Sequence, residues 1–247
     1  MMEREKVIEV RDLVKRFGSF TANDRLTFDV YRGEIFGFLG ANGAGKTTAM
    51  RILCGLSRPT SGKVTVAGID SHRPEEIKKR IGYMSQRFSL YEDLTVNENI
   101  ELYGGIYGMT MKEIRPRREE LLRRLSFTGY GNTLILALPL GLRQKLAFAV
   151  ALFHEPEIVF LDEPTSGVDP VTRRQFWEMI YETASRGITV FVTTHYMDEA
   201  EYCDRITIMS EGRIVALDTP SALRQQYGTA SVEELFVKIA RPQRINA

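Results

Sequence analysis

The segment Gly40-Ala41-Asn42-Gly43-Ala44-Gly45-Lys46-Thr47, followed by Thr48, constrains this chain more than any other. It fills the phosphate-cradling pattern G-x-x-x-x-G-K-[ST] at every fixed position. Upstream, Ile35-Phe36-Gly37-Phe38-Leu39 is a short apolar run suited to a buried strand. Downstream, Thr47 to Leu56 carries Met50, Ile52, Leu53 and Leu56 at helical spacing. A strand, a glycine turn and a helix in that order build an anion site. The glycines let backbone N–H groups turn inward, and the helix start adds unpaired donors and the positive end of its dipole. Lys46 then reaches the β- and γ-phosphates of a nucleotide, and the Thr47 hydroxyl is placed to ligate Mg²⁺.

Composition sets the setting for that loop. With 247 residues, 43% hydrophobic and 26% charged, the chain reads as one globular domain or one core with an insert. A net charge of +1 gives no drive toward nucleic acid or an anionic membrane face. Cys54 and Cys203 lie too far apart for metal-ligand spacing, so a reducing compartment is expected, with Cys54 a small packing residue. No stretch approaches the roughly 18 apolar residues of a membrane span. The start, Met1-Met2-Glu3-Arg4-Glu5-Lys6, is too charged for a signal peptide. The expectation is a cytoplasmic chain that serves a membrane only through a partner.

Along the chain, Val7 to Val14 and Leu26 to Val30 alternate as half-exposed strands, and Lys63 to Gly68 is a third. Phe17 stands 29 residues before Lys46, and an aromatic there is able to stack on a nucleotide base, which contributes about 1–3 kcal/mol. Ile81 to Met84 is a strand, leading to Ser85-Gln86. Thr95 and Glu98 have capping-box spacing before the stripe Ile100, Tyr103, Tyr107. The stretch from about Phe88 to His154 is mostly helical, and its charged segment Lys112–Arg124 reads as a solvated face. Ile158 to Leu161 is a continuous apolar run, as in a parallel strand covered on both faces, and it ends in Asp162-Glu163. Open α/β sheets place ligands at such strand ends. Asp169-Pro170 starts a helix with Phe176, Ile180 and Ala184 inward and Gly187 closing it; Ile188 to Val192 is a further buried strand that ends at Thr193-Thr194-His195. Arg205–Met209 and Arg213–Ala216 follow as strands, then helices starting near Pro220 and Ser231.

With the loop, Gln86, Asp162-Glu163 and His195 in this order, the chain resembles the ATP-binding subunit of an ABC transporter, from Phe17 to about Leu217. The resemblance implies an α/β fold: a P-loop NTPase core with a mostly parallel sheet, an antiparallel β subdomain and an inserted helical subdomain. The ATPase domain would occupy 1–218, with the insert at about 88–154, and 219–247 would form a short helical extension. Phe17 is similar to the family's adenine-stacking aromatic, and Gly40 to Thr48 to its phosphate loop. Gln86 resembles the glutamine that contacts Mg²⁺ and the attacking water, and Asp162 the acid that holds Mg²⁺ with Thr47. Glu163 resembles the general base, His195 the histidine that contacts the γ-phosphate, and Asp169 part of the loop through which two subunits touch. Such roles fit phosphoryl transfer, where positioning and charge neutralisation dominate.

The family's signature, Leu-Ser-Gly-Gly, stands here as Leu138-Pro139-Leu140-Gly141-Leu142-Arg143-Gln144. In the family this turn caps the γ-phosphate of the partner subunit. Pro139 offers neither hydroxyl nor N–H. Gly141, Leu142 and the start of a helix expected over Arg143–Phe153 remain as donors in trans. The variant and the sequences around Glu163 and His195 resemble those of multidrug-type exporters. The function expected is ATP hydrolysis, with ATP and Mg²⁺, that energises a separate membrane permease, in a homo- or heterodimer with a second ATPase subunit. The apolar residues Phe88, Leu90 and Tyr91 in Gln86 to Leu94 either form the groove for the permease or pack the insert onto the core. The alternative, motivated by Pro139 and Leu140, is a low-turnover regulatory partner.

Overall fold

The computed structural model describes residues 4–86 and 90–240, and two sheets organise them. The chain opens with the long hairpin β1 (Lys6–Phe17) and β2 (Phe20–Tyr31), continues through β3 (Ile35–Gly40), and turns into helix α1 (Lys46–Leu53). Strands β4 (Ser61–Val66) and β5 (Ile69–Asp70), helix α2 (Pro74–Lys78) and strand β6 (Ile81–Met84) follow. A helical stretch comprises α3 (Val96–Ile106), α4 (Met111–Arg124) and α5 (Leu140–Ala151). The chain then alternates β7 (Ile158–Asp162), α6 (Pro170–Ser185) and β8 (Thr189–Thr194). It finishes with β9 (Arg205–Ser210), β10 (Arg213–Asp218), α7 (Pro220–Tyr227) and α8 (Val232–Ala240).

The smaller sheet is antiparallel in the order β2-β1-β4-β5. Strict alternation from Ile8 and Val10 would turn Asp12 inward. Instead Asp12 takes φ 49°, the pairing with β2 slips between Val10 and Leu13, and Leu13 is buried in its place. The bulge keeps a charged side chain out of the core. The larger sheet runs β10-β9-β3-β8-β7-β6, parallel except for the β9–β10 pair. Its central strands β3, β7 and β8 are buried at every residue, as their apolar and β-branched runs require.

Phenylalanines fill the space between the sheets. Phe28 lies 5.4 Å from Phe38, Phe38 5.2 Å from Phe191, and Phe191 5.4 Å from Phe160, ring centre to ring centre. Helix α1 packs in this layer through Ala49, Met50, Ile52 and Leu53. On the other face of the larger sheet, Val159, Leu161, Val190 and Val192 meet Phe148 of α5 and Phe176 of α6. That apolar layer runs on into Val96, Ile100 and Ile114 of the helical stretch and into Leu223, Val232 and Leu235 of α7 and α8.

Several boundaries differ from the sequence reading. Helix α5 starts at Leu140, not Arg143, because Pro139 caps it with φ −55° and its carbonyl accepts the Leu142 and Arg143 N–H groups at 3.0 and 3.1 Å. Helix α1 stops short of Leu56 because Gly55 turns to φ 68°. Strand β4 gives way to a turn at Ala67 and Gly68, both at positive φ. Of the two readings for Leu90, groove or core, the core holds: it is only 4% exposed, whereas Tyr91 is 51% exposed. Phe88 lies outside the described residues. Cys54 and Cys203 are both buried free thiols.

Candidate functional site

Four neighbouring parallel strands, in the order β3-β8-β7-β6, deliver the candidate residues to one edge of the sheet. Leu39 pairs with Thr194, Asp162 with Thr193 and Met84 with Leu161, so the next residues along all four strands leave at one level. These are the glycine loop, His195, Glu163 and the Ser85-Gln86 segment. The site thus lies where the carboxyl ends of an open sheet gather.

The loop is shaped by close approach. A Cβ at Gly40 would stand 2.8 Å from the Met209 carbonyl oxygen, and one at Gly45 would overlap that of Ala22. Gly43 and Gly45 take φ 83° and 101°, where a side chain is strained. Gly45 caps α1 without a side-chain acceptor, leaving the first-turn donors of Lys46, Thr47 and Thr48 for an anion. Ala41, Asn42, Gly43 and Thr47 are exposed, while Ala44 is buried and anchors the turn. From behind, the buried Asn23 donates its Nδ2 to the Gly45 carbonyl at 3.1 Å and ties the antiparallel sheet to the loop.

Lys46 is 4% exposed and donates to the Gly40 and Ala41 carbonyls at 2.7 and 3.3 Å. Its Nζ lies 3.6 Å from Glu163 Oε1. Burial pulls the Lys46 ammonium below the usual lysine range, against the raising pull of the Glu163 charge. The other oxygen of Glu163 is met twice, by the Gln86 Nε2–H at 3.0 Å and by His195 Nδ1 at 2.9 Å. Glu163 takes φ 49°, a left-handed conformation for a non-glycine residue, held by its N–H donating to the Thr193 carbonyl at 3.1 Å and hydroxyl at 3.0 Å. Strain of that kind persists where surroundings over-determine it, and it clusters at functional sites.

Asp162 accepts the Thr193 hydroxyl at 2.6 Å and the Thr47 hydroxyl at 3.4 Å. Burial pushes its carboxyl above the usual range, with those hydrogen bonds pulling the other way. A buried carboxylate beside an exposed hydroxyl is a hard oxygen donor pair. It fits Mg²⁺, which uses one or two side-chain oxygens together with phosphates and water. The Gln86 Nε2 is committed to Glu163, which leaves the amide oxygen as the acceptor of that side chain. Thus Gln86, Lys46, Thr47, Asp162, Glu163 and His195 converge.

The remaining candidates lie elsewhere. Phe17 ends β1, 56% exposed, with Lys15 Nζ 5.0 Å from its ring centre. Gly141 and Leu142 sit in the first turn of α5. A Cβ at Gly141 would stand 2.7 Å from Thr172 Cγ2, so this glycine serves the packing of α5 on α6. Asp169 caps α6, accepting the Val171 and Thr172 N–H groups at 3.0 Å each, and the Thr172 hydroxyl bond holds its carboxyl below the usual range. Sequence reasoning did not mark Asn23 or Thr193 as supports of the site; the Thr193-Thr194 pair at a strand end was the one local signal.

Comparison with known proteins agrees with this geometry. Residues 23–166 match the family described as ABC transporter. The chain is 44% identical over 241 residues to a probable multidrug ABC transporter ATP-binding protein, YbhF, of Escherichia coli (strain K12). That match covers 95% of this chain but 42% of YbhF, so the chain spans less than half the length of this relative. A solved ATP-binding subunit of an ABC transporter superposes with TM-score 0.86 at 31% identity, over 95% of this chain and all (100%) of that one. The ATP-binding cassette MJ0796, a dimer in a post-hydrolysis state bound to ADP and Pi, gives 0.77 at 27% identity, over 86% of this chain and 98% of that one.

Proposed function

The chain belongs to the ABC transporter family of ATP-binding domains, and on that premise we propose that it hydrolyses ATP to drive a separate membrane permease, as an exporter. The observation that carries this reading is the Glu163 carboxylate, with Gln86 and His195 on one oxygen and Lys46 beside the other. In the proposed roles the loop 40–48 cradles the phosphates, Lys46 neutralises the β- and γ-phosphates, and Phe17 stacks on adenine. Glu163 takes the proton of the attacking water, which Gln86 orients, and His195 holds the γ-phosphate. Mg²⁺, held by Thr47 and Asp162 with Gln86, would supply charge neutralisation across the phosphates. Gly141 and Leu142 would cap the γ-phosphate of a second ATPase subunit, with Asp169 at the contact; that the MJ0796 cassette is dimeric supports such pairing.

The exporter assignment draws on the likeness to YbhF, a probable multidrug ABC transporter ATP-binding protein. Among the described residues no helix is long and apolar enough to cross a membrane, which fits attachment to the cytoplasmic face through the permease. No nucleic-acid partner is proposed, given the near-neutral charge. We place the ATPase domain at 1–218, the helical insert at about 88–154 and an extension at 219–247.

The test is ATP turnover by the purified chain across protein concentration, beside Glu163→Gln. Turnover rising faster than protein concentration, and falling at least about 100-fold in the variant, supports the reading. Nucleotide binding without turnover favours the second reading, a low-turnover regulatory partner. Pro139, which brings neither hydroxyl nor N–H to the signature turn, is its motive.

A further inference from the structure

Glu199 lies in the 3-10 turn Asp198–Tyr202, fully enclosed at 0% exposure, and takes no part in the reactive cluster. One of its carboxylate oxygens accepts the Thr165 hydroxyl, and the other accepts the Thr194 hydroxyl at 2.6 Å. Both threonines are buried, at 1% and 0% exposure. Thr165 stands two residues after Glu163, and Thr194 immediately precedes His195. A single carboxylate therefore holds, from behind, the two segments whose side chains meet in front. The Thr194 hydroxyl also accepts the Tyr196 N–H at 3.0 Å, so the segment is pinned on both sides of His195.

An enclosed carboxylate is costly unless its partners require it. The nearest cation, Arg173, offsets part of that cost as an ion pair: its Nε stands 3.6 Å away without a hydrogen bond, and its guanidinium lies 4.4 Å from the centre of the Tyr196 ring. The hydrogen bonds come from the two hydroxyls. Two oxygens in one rigid plane serve two donors from two different segments, the turn after β7 and the end of β8, a task no apolar side chain performs. Glu163 needs such help, because its φ of 49° is not a conformation it would hold unaided.

We propose that Glu199 is a positioning residue for hydrolysis: by binding Thr165 and Thr194 it fixes Glu163 against His195 at the reacting phosphate. This rests on the hydrolytic reading of the site. The amide of Glu199→Gln keeps the size but turns a donor toward one hydroxyl. Its kcat is expected to fall about 10- to 100-fold, the scale of a slightly misplaced group, with KM for ATP within about twofold of the parent. Thr194→Val should reproduce the loss, and the double variant should add no more than about twofold, since coupled residues are not additive. A readout independent of turnover is the ring resonances of His195 in histidine-labelled chain, identified by their loss in His195→Ala. They should move in Glu199→Gln while those of His72 stay. An unchanged kcat, His195 resonances that do not move, or fully additive losses would each overturn the proposal. Should Glu199→Gln fail to fold, Thr194→Val carries the same comparison. If the parent chain lacks turnover, the hydrolytic reading fails on that result, and the resonances alone still decide whether Glu199 positions His195.

Discussion

His154 is stacked on Tyr107 at 3.6 Å between ring centres, with its Nε2 3.0 Å from the Ile81 carbonyl oxygen. Burial pulls its pKa down to about 4 from an ordinary 6.5. The unfolded chain therefore takes up the proton first as pH falls. Stability is full above about pH 6.5 and is lost between there and about pH 4, by up to about 3 kcal/mol. His154→Phe keeps a ring for Tyr107 and removes the titration. Denaturant unfolding at pH 7 and pH 5 should show a drop in the parent chain and little in the variant. The reactive residues show how much of a site is legible residue by residue. Lys46, Asp162 and His195 were found because a glycine pattern and two apolar runs point at them. Thr193, Thr165 and Glu199 were not, because hydroxyls and a carboxylate 31 and 34 residues apart leave no local pattern.

Among the elements, α5 carries the feature that most separates the two functional readings. Pro139 caps it through its carbonyl alone, with no side-chain bond to the first turn. A serine there accepts a first-turn N–H, which is worth about 1 kcal/mol, while the freer unfolded chain takes back about 0.4–1 kcal/mol. Pro139→Ser should thus leave stability nearly level. A hydroxyl offered across the proposed dimer should nevertheless raise turnover, by up to about tenfold for each 1.4 kcal/mol gained in the transition state. Thermal unfolding beside steady-state ATPase rates separates the two effects, and an unchanged rate would mean that backbone donors already suffice. Element positions were largely readable, since Ile158–Leu161 is an unbroken apolar run, Ile188–Val192 is β-branched and aromatic throughout, and Asp169-Pro170 announces α6. The start of α5 was not, because a proline permits either a break or a cap, and only the accepted N–H bonds distinguish them. The sequence leaves Leu90 open between groove and core; its burial goes with Asn99 of α3, whose side chain pairs with both the N–H and the carbonyl of Tyr91.

At the scale of the whole molecule, the question is which face would meet the proposed permease. With Leu90 withdrawn into the core, the exposed apolar residues near it are Tyr91, Leu134 and Leu136, at 51%, 46% and 60% exposure. Tyr91→Asp leaves the backbone bonds to Asn99 in place. It should sharply reduce co-purification with the permease, while ATP turnover by the isolated chain stays within about twofold. Undiminished co-purification would move the docking face elsewhere. The two thiols, Cys54 and Cys203, are 1% and 6% exposed, and burial pushes both well above the usual thiol range. The sequence has no others. Maleimide reagents should therefore pass over the native chain, so one engineered cysteine, at Asp169 for example, becomes a unique handle for crosslinks or spin labels. The distance between the two subunits of the proposed dimer during turnover is then measurable without first stripping the protein of its own sulfhydryls.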